Sequence, residues 1–257
     1  MQSKLISNAL GGYRFLPGSD PYSSGVIAEP GHEIVHAVLA RPLPWRDGLL
    51  AARKYLEQQG WQRFRLCGVE LRCPEPHPMG GFFSFNQEYH AVLVEWEMLV
   101  QGQNPIARTN VAPQKMPPRE TVLYGFSYVE PSSLKPATFV VAGGGEVPHR
   151  ELHEKHIVRF GETSPEAMLE KAECVVDIMR QRLEQLEVDE EILSCLDVYS
   201  AHPVRDAVEK AIMPGLAKAA HLGIHWFYAR PPVQNIEFEM DLRGVRRELV
   251  LDLSFGH

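Results

Sequence analysis

The chain has 257 residues, 44% hydrophobic and 23% charged, with a formal net charge of −7. That length and balance describe a globular protein able to bury a sizeable core, and the acidic excess argues against general binding to nucleic-acid backbone. No run approaches the roughly 20 apolar residues of a membrane span, the first residues lack the apolar core of a secretory signal, and Cys67, Cys73, Cys174 and Cys195 follow neither a disulfide nor a zinc spacing. The expectation is a reduced, cytoplasmic setting, with no membrane, no nucleic acid and no metal.

Residues 1–30 read as loop, punctuated by Gly11-Gly12, Pro17-Gly18 and Asp20-Pro21. Ile34 to Leu39 is β-branched and apolar, hence a strand that Pro42 and Pro44 end. Leu49, Ala52 and Leu56 recur at helical spacing before Gly60. A strand follows from Phe64 to Arg72, then a proline-rich break, then a helix from Phe82 to Val100 with Phe82, Phe85, Tyr89, Leu93 and Trp96 on one face. Asn104 to Pro113 reads as a turn around Arg108, leading into a strand from Thr121 to Val129.

After a linker at 130–136, Phe139 to Ala142 and Ile157 to Phe160 read as strands, with Gly143-Gly144-Gly145 as a turn between them. Those glycines lack the lysine and the strand–helix context of a phosphate loop. Ser164-Pro165-Glu166 opens a helix reaching about Leu186. Leu193 to Ser200 is a strand, Asp206 to Ala220 a helix disturbed by Pro214, and Ile236–Leu242 and Glu248–Leu253 are strands. Seven of the eleven histidines (His32, His36, His149, His153, His156, His221 and His225), with Glu154, invite a metal reading. No HExxH pattern supports it, although His149, His153 and Glu154 are close in sequence.

The two halves share an order of elements: two strands, helix, strand, helix, arginine turn, strand. At an offset of 127, Val69-Glu70-Leu71 meets Leu196-Asp197-Val198 and Pro76 meets Pro203. The pattern predicts a duplicated α+β unit, residues 1–132 and 133–257, each a mixed β-sheet with two helices packed on one face. Arg108 and Arg230 then stand as two equivalent guanidinium positions. Such an arginine fits a structural ion pair, and it equally fits a trap for a planar carboxylate.

Tyr22-Ser23, Phe85-Asn86-Gln87-Glu88-Tyr89 and Ala107-Arg108-Thr109-Asn110-Val111 resemble the YjgF/RidA family in order and spacing. The resemblance covers most of residues 17–130 and is weaker in the second half, at Ala229-Arg230 and Ile236-Glu237-Phe238-Glu239. It implies two tandem RidA-like (chorismate mutase-like) domains, assembly as a homo-oligomer, a trimer, and clefts between neighbouring domains. It also implies hydrolytic deamination of a small carboxylate-bearing imine or enamine, of 2-imino-acid or aminomuconate type, without a cofactor. Arg108 stands at the family's carboxylate-binding arginine, with Asn86, Asn110 and Arg230 as further substrate-binding candidates and Tyr22 and Glu237 as catalytic ones. The family's last-strand glutamate has no counterpart in the first half, where Leu123 or Tyr124 falls, whereas Glu237 matches it in the second. A composite site, Arg108 from one half with Glu237 from another, follows. The alternatives are a non-catalytic protein that binds a small carboxylated metabolite and a chorismatase-like hydrolase.

Overall fold

The computed structural model describes residues 5–18, 21–148, 152–188 and 190–254. The strands β1 (Ile6–Asn8), β2 (Tyr13–Leu16) and β3 (Gly25–Ala28) form a meander that leads into the long strand β4 (His32–Pro44). Then come α1 (Trp45–Gln58), β5 (Leu66–Arg72), α2 (Met79–Glu95), β6 (Ala107–Pro113) and β7 (Val122–Pro131). The second half runs β8 (Phe139–Gly145), α3 (Pro165–Leu186), β9 (Cys195–Tyr199), short α- and π-type turns between Arg205 and Leu222, then β10 (His225–Phe227). The strands β11 (Ala229–Arg230), β12 (Glu239–Gly244) and β13 (Glu248–Leu251) complete the chain.

These strands make two sheets, ordered β1-β2-β3-β8-β12-β9-β10 and β11-β6-β5-β7-β4-β13. Each contains the same four-stranded unit. In the first half β4-β7-β5-β6 pair antiparallel, antiparallel and parallel; in the second β8-β12-β9-β10 do the same. The edges are exchanged. The strand β3 extends the second half's sheet beside β8, while β13 and β11 extend the first half's sheet beside β4 and β6. Residue 132 falls between the two units, yet neither sheet is closed without strands from the other half.

The helices form because their apolar residues recur on one face. In α3, Ala172, Val175, Val176, Met179, Leu183 and Leu186 are buried at three- and four-residue spacing. Ser164 caps its start, accepting from the Ala167 amide at 3.2 Å, and Glu187 in the left-handed region (φ 60°) ends it. Each fully buried side chain of this size contributes about 1.5–3 kcal/mol. One core joins α3 to the second half's sheet, another joins α1 and α2 to the first half's sheet, and a third, including Phe15, Val26, Ala107 and Val129, fills the space where the sheets meet. The layers are therefore helix, sheet, sheet, helix. Among the described residues no helix is long and apolar enough to cross a membrane.

Several expectations change. The N-terminal loop region contains three strands, and the Arg108 turn is the strand β6. The triple glycine lies within β8, not in a turn. Ile157 to Phe160 is irregular: Ile157 packs in a small cluster with Phe82, Val233 and Ile236, and the Val158 carbonyl accepts from Lys171 Nζ at 2.8 Å. The helix expected from Asp206 is a set of short turns.

Candidate active site

A cavity of about 920 Å³ opens between the halves. Its first-half wall comes from the segment around Tyr22, from α2 (Phe82, Asn86, His90) and from β6 (Arg108, Asn110). Its second-half wall comes from β8 (Gly143 to Gly145), α3 (Ile178, Gln181, Arg182, Gln185) and Glu239 at the start of β12.

The segment before the cavity is tied down locally. The Asn104 side chain donates to the Pro21 carbonyl at 2.7 Å and accepts from the Ile106 amide at 2.9 Å, while the Ser23 amide donates to the Ile106 carbonyl at 2.9 Å. This fixes Tyr22 beside β6. Arg108 and Asn110, two residues apart on β6, share a face of the strand.

Arg108 is 3% exposed, and its guanidinium carbon lies 4.7, 4.8, 5.6 and 5.8 Å from the ring centroids of Tyr89, Tyr22, Phe85 and Phe82. Its Nη2 donates to Asn86 Oδ1 at 2.6 Å; its buried Nη1 has no partner. Burial lowers its pKa, against the opposing pull of Tyr89, Tyr22 and Glu239. Asn110 is also 3% exposed, and both its amide oxygen and its amide nitrogen are unpaired. Buried polar groups are rarely left without a partner, so these two residues mark a place built for a polar ligand.

Among the described residues that line the cavity, Glu239 is the acid. Burial raises its pKa well above the ordinary glutamate value and Asp241 adds to the rise, while Arg182 and Arg108 oppose it. A carboxyl shifted this way keeps its proton more readily than an ordinary glutamate. The strand β8 makes room for it: a Cβ on Gly143 would collide with Glu239 Oε1. A Cβ on Gly144 would lie 2.8 Å from Met179 Cε and 3.1 Å from Arg182 Nη1. The glycines are a strand stripped of side chains so that α3 and Glu239 can close on it. Glu146 holds the approach to β12. Its carboxylate accepts from the Glu237 and Phe238 amides at 2.7 and 3.0 Å and pairs with the buried Lys171 Nζ at 3.0 Å.

The structure thus brings Tyr22, Asn86, Arg108 and Asn110 together. It does not bring Glu237 or Arg230 to them. Glu237 precedes β12, so strand alternation does not align it with Glu239; its Oε2 faces His202 Nε2 at 3.1 Å and Arg230 Nε at 3.7 Å, outside the cavity lining. Arg230 is also not the counterpart of Arg108. Thr109 pairs with Glu70 as His225 pairs with Asp197, so the residue corresponding to Arg108 is Ile224, while Arg230 sits on β11 beside Ala112 of the first half's sheet.

Sequence reasoning missed Arg182 as a site residue. Its signal was present: Ile178, Gln181, Arg182 and Gln185 recur at helical spacing beside the apolar stripe of α3. His153 lines the cavity, Glu154 starts a 3₁₀ turn, and His149 lies outside the described residues. Among the described residues, Cys195, Asp197 and His225 group compactly enough for a metal ion, with ligand atoms 3.0 to 3.3 Å apart. Arg243 already supplies positive charge there, 3.0 Å from Cys195 Sγ and 2.6 Å from Asp197 Oδ2. A cation would meet a fixed cation.

The family model described as "2-aminomuconate deaminase CnbZ" matches residues 5–249. A 2-amino-5-chloromuconate deaminase of Comamonas testosteroni is 37% identical over 246 residues, covering 94% of this chain and 96% of that protein. Among solved structures, a chorismatase shares 10% identity over 86% of this chain and 77% of its own (TM-score 0.47), and the YjgF gene product from E. coli shares 14% over 43% and 81% (TM-score 0.27). On the matched span and the identity to a full-length relative, the chain belongs to the 2-aminomuconate deaminase CnbZ family.

Proposed function

We propose that the cavity hydrolyses an aminomuconate-type enamine to the 2-oxo acid and ammonia, with Arg108 anchoring the carboxylate beside the amino-bearing carbon. The observation that carries this is the buried, unpaired Nη1 of Arg108 beside the unpaired Asn110 amide, in a cavity that also holds Glu239, whose pKa burial raises. Asn86 sets the guanidinium's orientation. Glu239 takes the place expected for Glu237, so the site is composite within one chain.

The reaction needs one proton donor and one water. Glu239 gives its proton to the enamine carbon, leaving an iminium at C2. Water adds to C2 and its proton passes to the Glu239 carboxylate. Glu239 returns that proton to the carbinolamine nitrogen, the C–N bond breaks as the hydroxyl proton passes to the Glu239 carboxylate, and a ketone and ammonia leave with Glu239 protonated again. One water is consumed per ammonia released. Proton transfer by a positioned carboxyl accounts for roughly 10²–10⁴-fold of rate. Asn110 offers a donor and an acceptor to the carboxylate and amino group, and the Tyr22 ring packs against the anchoring guanidinium.

The same reading takes the two halves as a duplicated unit divided between residues 132 and 133. Its support is the shared strand order and pairing sense. It takes the assembly as a trimer, which a single-chain mass by light scattering would exclude. The direct test is ammonia release from freshly generated 2-aminomuconate by the purified protein and by Arg108→Ala. Turnover that Arg108→Ala leaves intact removes the anchor. Arg108-dependent binding with no turnover on any such enamine leaves a small-carboxylate-binding protein.

A further inference from the structure

We propose that Arg182 forms a second anion subsite in this cavity, so that the site selects a dianion with a carboxylate at each end over a monocarboxylate of the same length. The inference rests on the cavity's being the site of the enamine described above and adds the residue that reads the remote end.

Arg182 is held as a binding group is held. Its Nη1 donates to the carbonyls of Ala142 at 2.7 Å and Gly143 at 3.3 Å, which fixes the guanidinium plane against β8. Among the described residues no carboxylate lies within ion-pair distance of it, although it lines the cavity. Burial lowers its pKa, as for Arg108, and Tyr22 and Glu239 are electrostatic neighbours of both guanidiniums. Two cations thus stand within range of one phenol and one carboxyl, on walls supplied by different halves.

Charge then decides the ligand. Among the described residues that line it, the cavity carries two guanidiniums, Arg108 and Arg182, and one acid, Glu239, whose pKa burial raises. A monoanion on Arg108 leaves Arg182 uncompensated. A dianion satisfies both, and planar forks bind carboxylates at both ends. The gap that Gly144 leaves is specific to this arrangement, since a side chain there would meet Arg182 Nη1 and Met179.

The test uses two stable six-carbon dienoates that differ by one carboxylate, trans,trans-muconate and sorbate, with affinities measured by calorimetry. The wild type binds muconate at least about 30-fold tighter than sorbate, the size expected when one buried charge pair is lost. Arg182→Gln brings that ratio below about 3 and Arg182→Lys retains an intermediate preference, because a point charge replaces a fork. Equal affinities in the wild type overturn the proposal. So does an Arg182→Gln variant that weakens both ligands alike, since that is the mark of a structural role. If Arg182→Gln does not fold, the wild-type and Arg182→Lys ratios decide. A muconate preference without ammonia release removes the deaminase reading and leaves this subsite. Ammonia release without a preference removes the subsite alone.

Discussion

Two buried arginines, Arg243 in the seam between the sheets and Arg108 in the cavity, show what separates a structural cation from a binding one. Arg243 Nη1 lies 2.6 Å from Asp197, 3.5 Å from Glu70 and 3.6 Å from Asp241, and its Nε lies 3.3 Å from Glu248. Burial alone would lower its pKa; Glu70, Asp197 and Asp241 outweigh burial and raise it. Arg108 has an amide oxygen, four aromatic rings and no paired carboxylate among the described residues, and its pKa falls. The two shifts differ in sign because in one place the chain supplies the anions and in the other it withholds them.

Breaking the paired cation has the largest effect. Arg243→Met leaves Glu70, Asp197 and Asp241 facing one another in the seam and lowers stability by about 3–5 kcal/mol, the usual result of removing one partner from a buried ion cluster. Chemical denaturation reads this directly, and activity per folded molecule stays near the wild-type level. A loss below about 1 kcal/mol would sink the assignment of Arg243 as structural.

Removing the unpaired cation should do the reverse. Arg108→Gln forfeits the carboxylate contact and lowers kcat/KM by roughly 30- to 1,000-fold, corresponding to about 2–4 kcal/mol of lost binding to a buried charge. Stability moves by less than about 1 kcal/mol, because a desolvated cation leaves whose hydrogen-bond partner among the described residues is a neutral amide. A stability loss as large as that of Arg243→Met would make the two arginines equivalent and end the contrast.

The sequence showed the parts of this arrangement that are local. The amphipathic stripes of α1 and α3 and the Ser164-Pro165 start were readable because side-chain periodicity and capping act within a few residues. Arg108, Asn86, Asn110 and Tyr22 were readable as a group through family resemblance. Other features depend on distant partners. The strands β2 and β3 look like loop because the strand that completes their sheet, β8, lies more than a hundred residues on. The strand β6 was hidden by its own site residues, since Arg108, Thr109 and Asn110 interrupt the apolar run a buried strand usually shows. Gly143 to Gly145 argue against a strand until Glu239, Met179 with Arg182, and Ile236 are seen occupying the space that their missing side chains leave. Glu237 and Glu239 are separable only once the start of β12 is known.

Glu239 sharpens the comparison through pH. Glu239→Gln keeps the shape and removes the proton, lowering kcat by about 10²-fold. In the wild type the acid works only while protonated, so kcat/KM falls as pH rises through its elevated pKa, and the variant lacks that limb. Stability carries the same sign. Above the ordinary glutamate range the unfolded chain is ionised there while the folded chain still holds the proton, so stability declines with rising pH until the folded pKa is passed. Glu239→Gln flattens this decline. A variant with the wild-type slope would assign the titration to Asp241 or Glu146.

The smallest effect is expected at Tyr22, and it tests how Arg108 tolerates burial without an anion. The Tyr22 ring centroid is 4.8 Å from the guanidinium carbon, so the face of the ring, rather than the hydroxyl, stabilises the charge. Tyr22→Phe keeps that face and loses one hydrogen-bonding group, so kcat/KM drops by about 2- to 10-fold. The change falls on kcat if the hydroxyl handles a proton, and on KM if it only touches the carboxylate. Tyr22→Leu removes the ring as well and exceeds the Phe variant by a further factor of about 2 to 5, the worth of one of the four ring contacts that share the guanidinium. If Phe and Leu behave alike, the rings around Arg108 are only packing, and its unpaired charge is carried by Asn86 and the ligand alone.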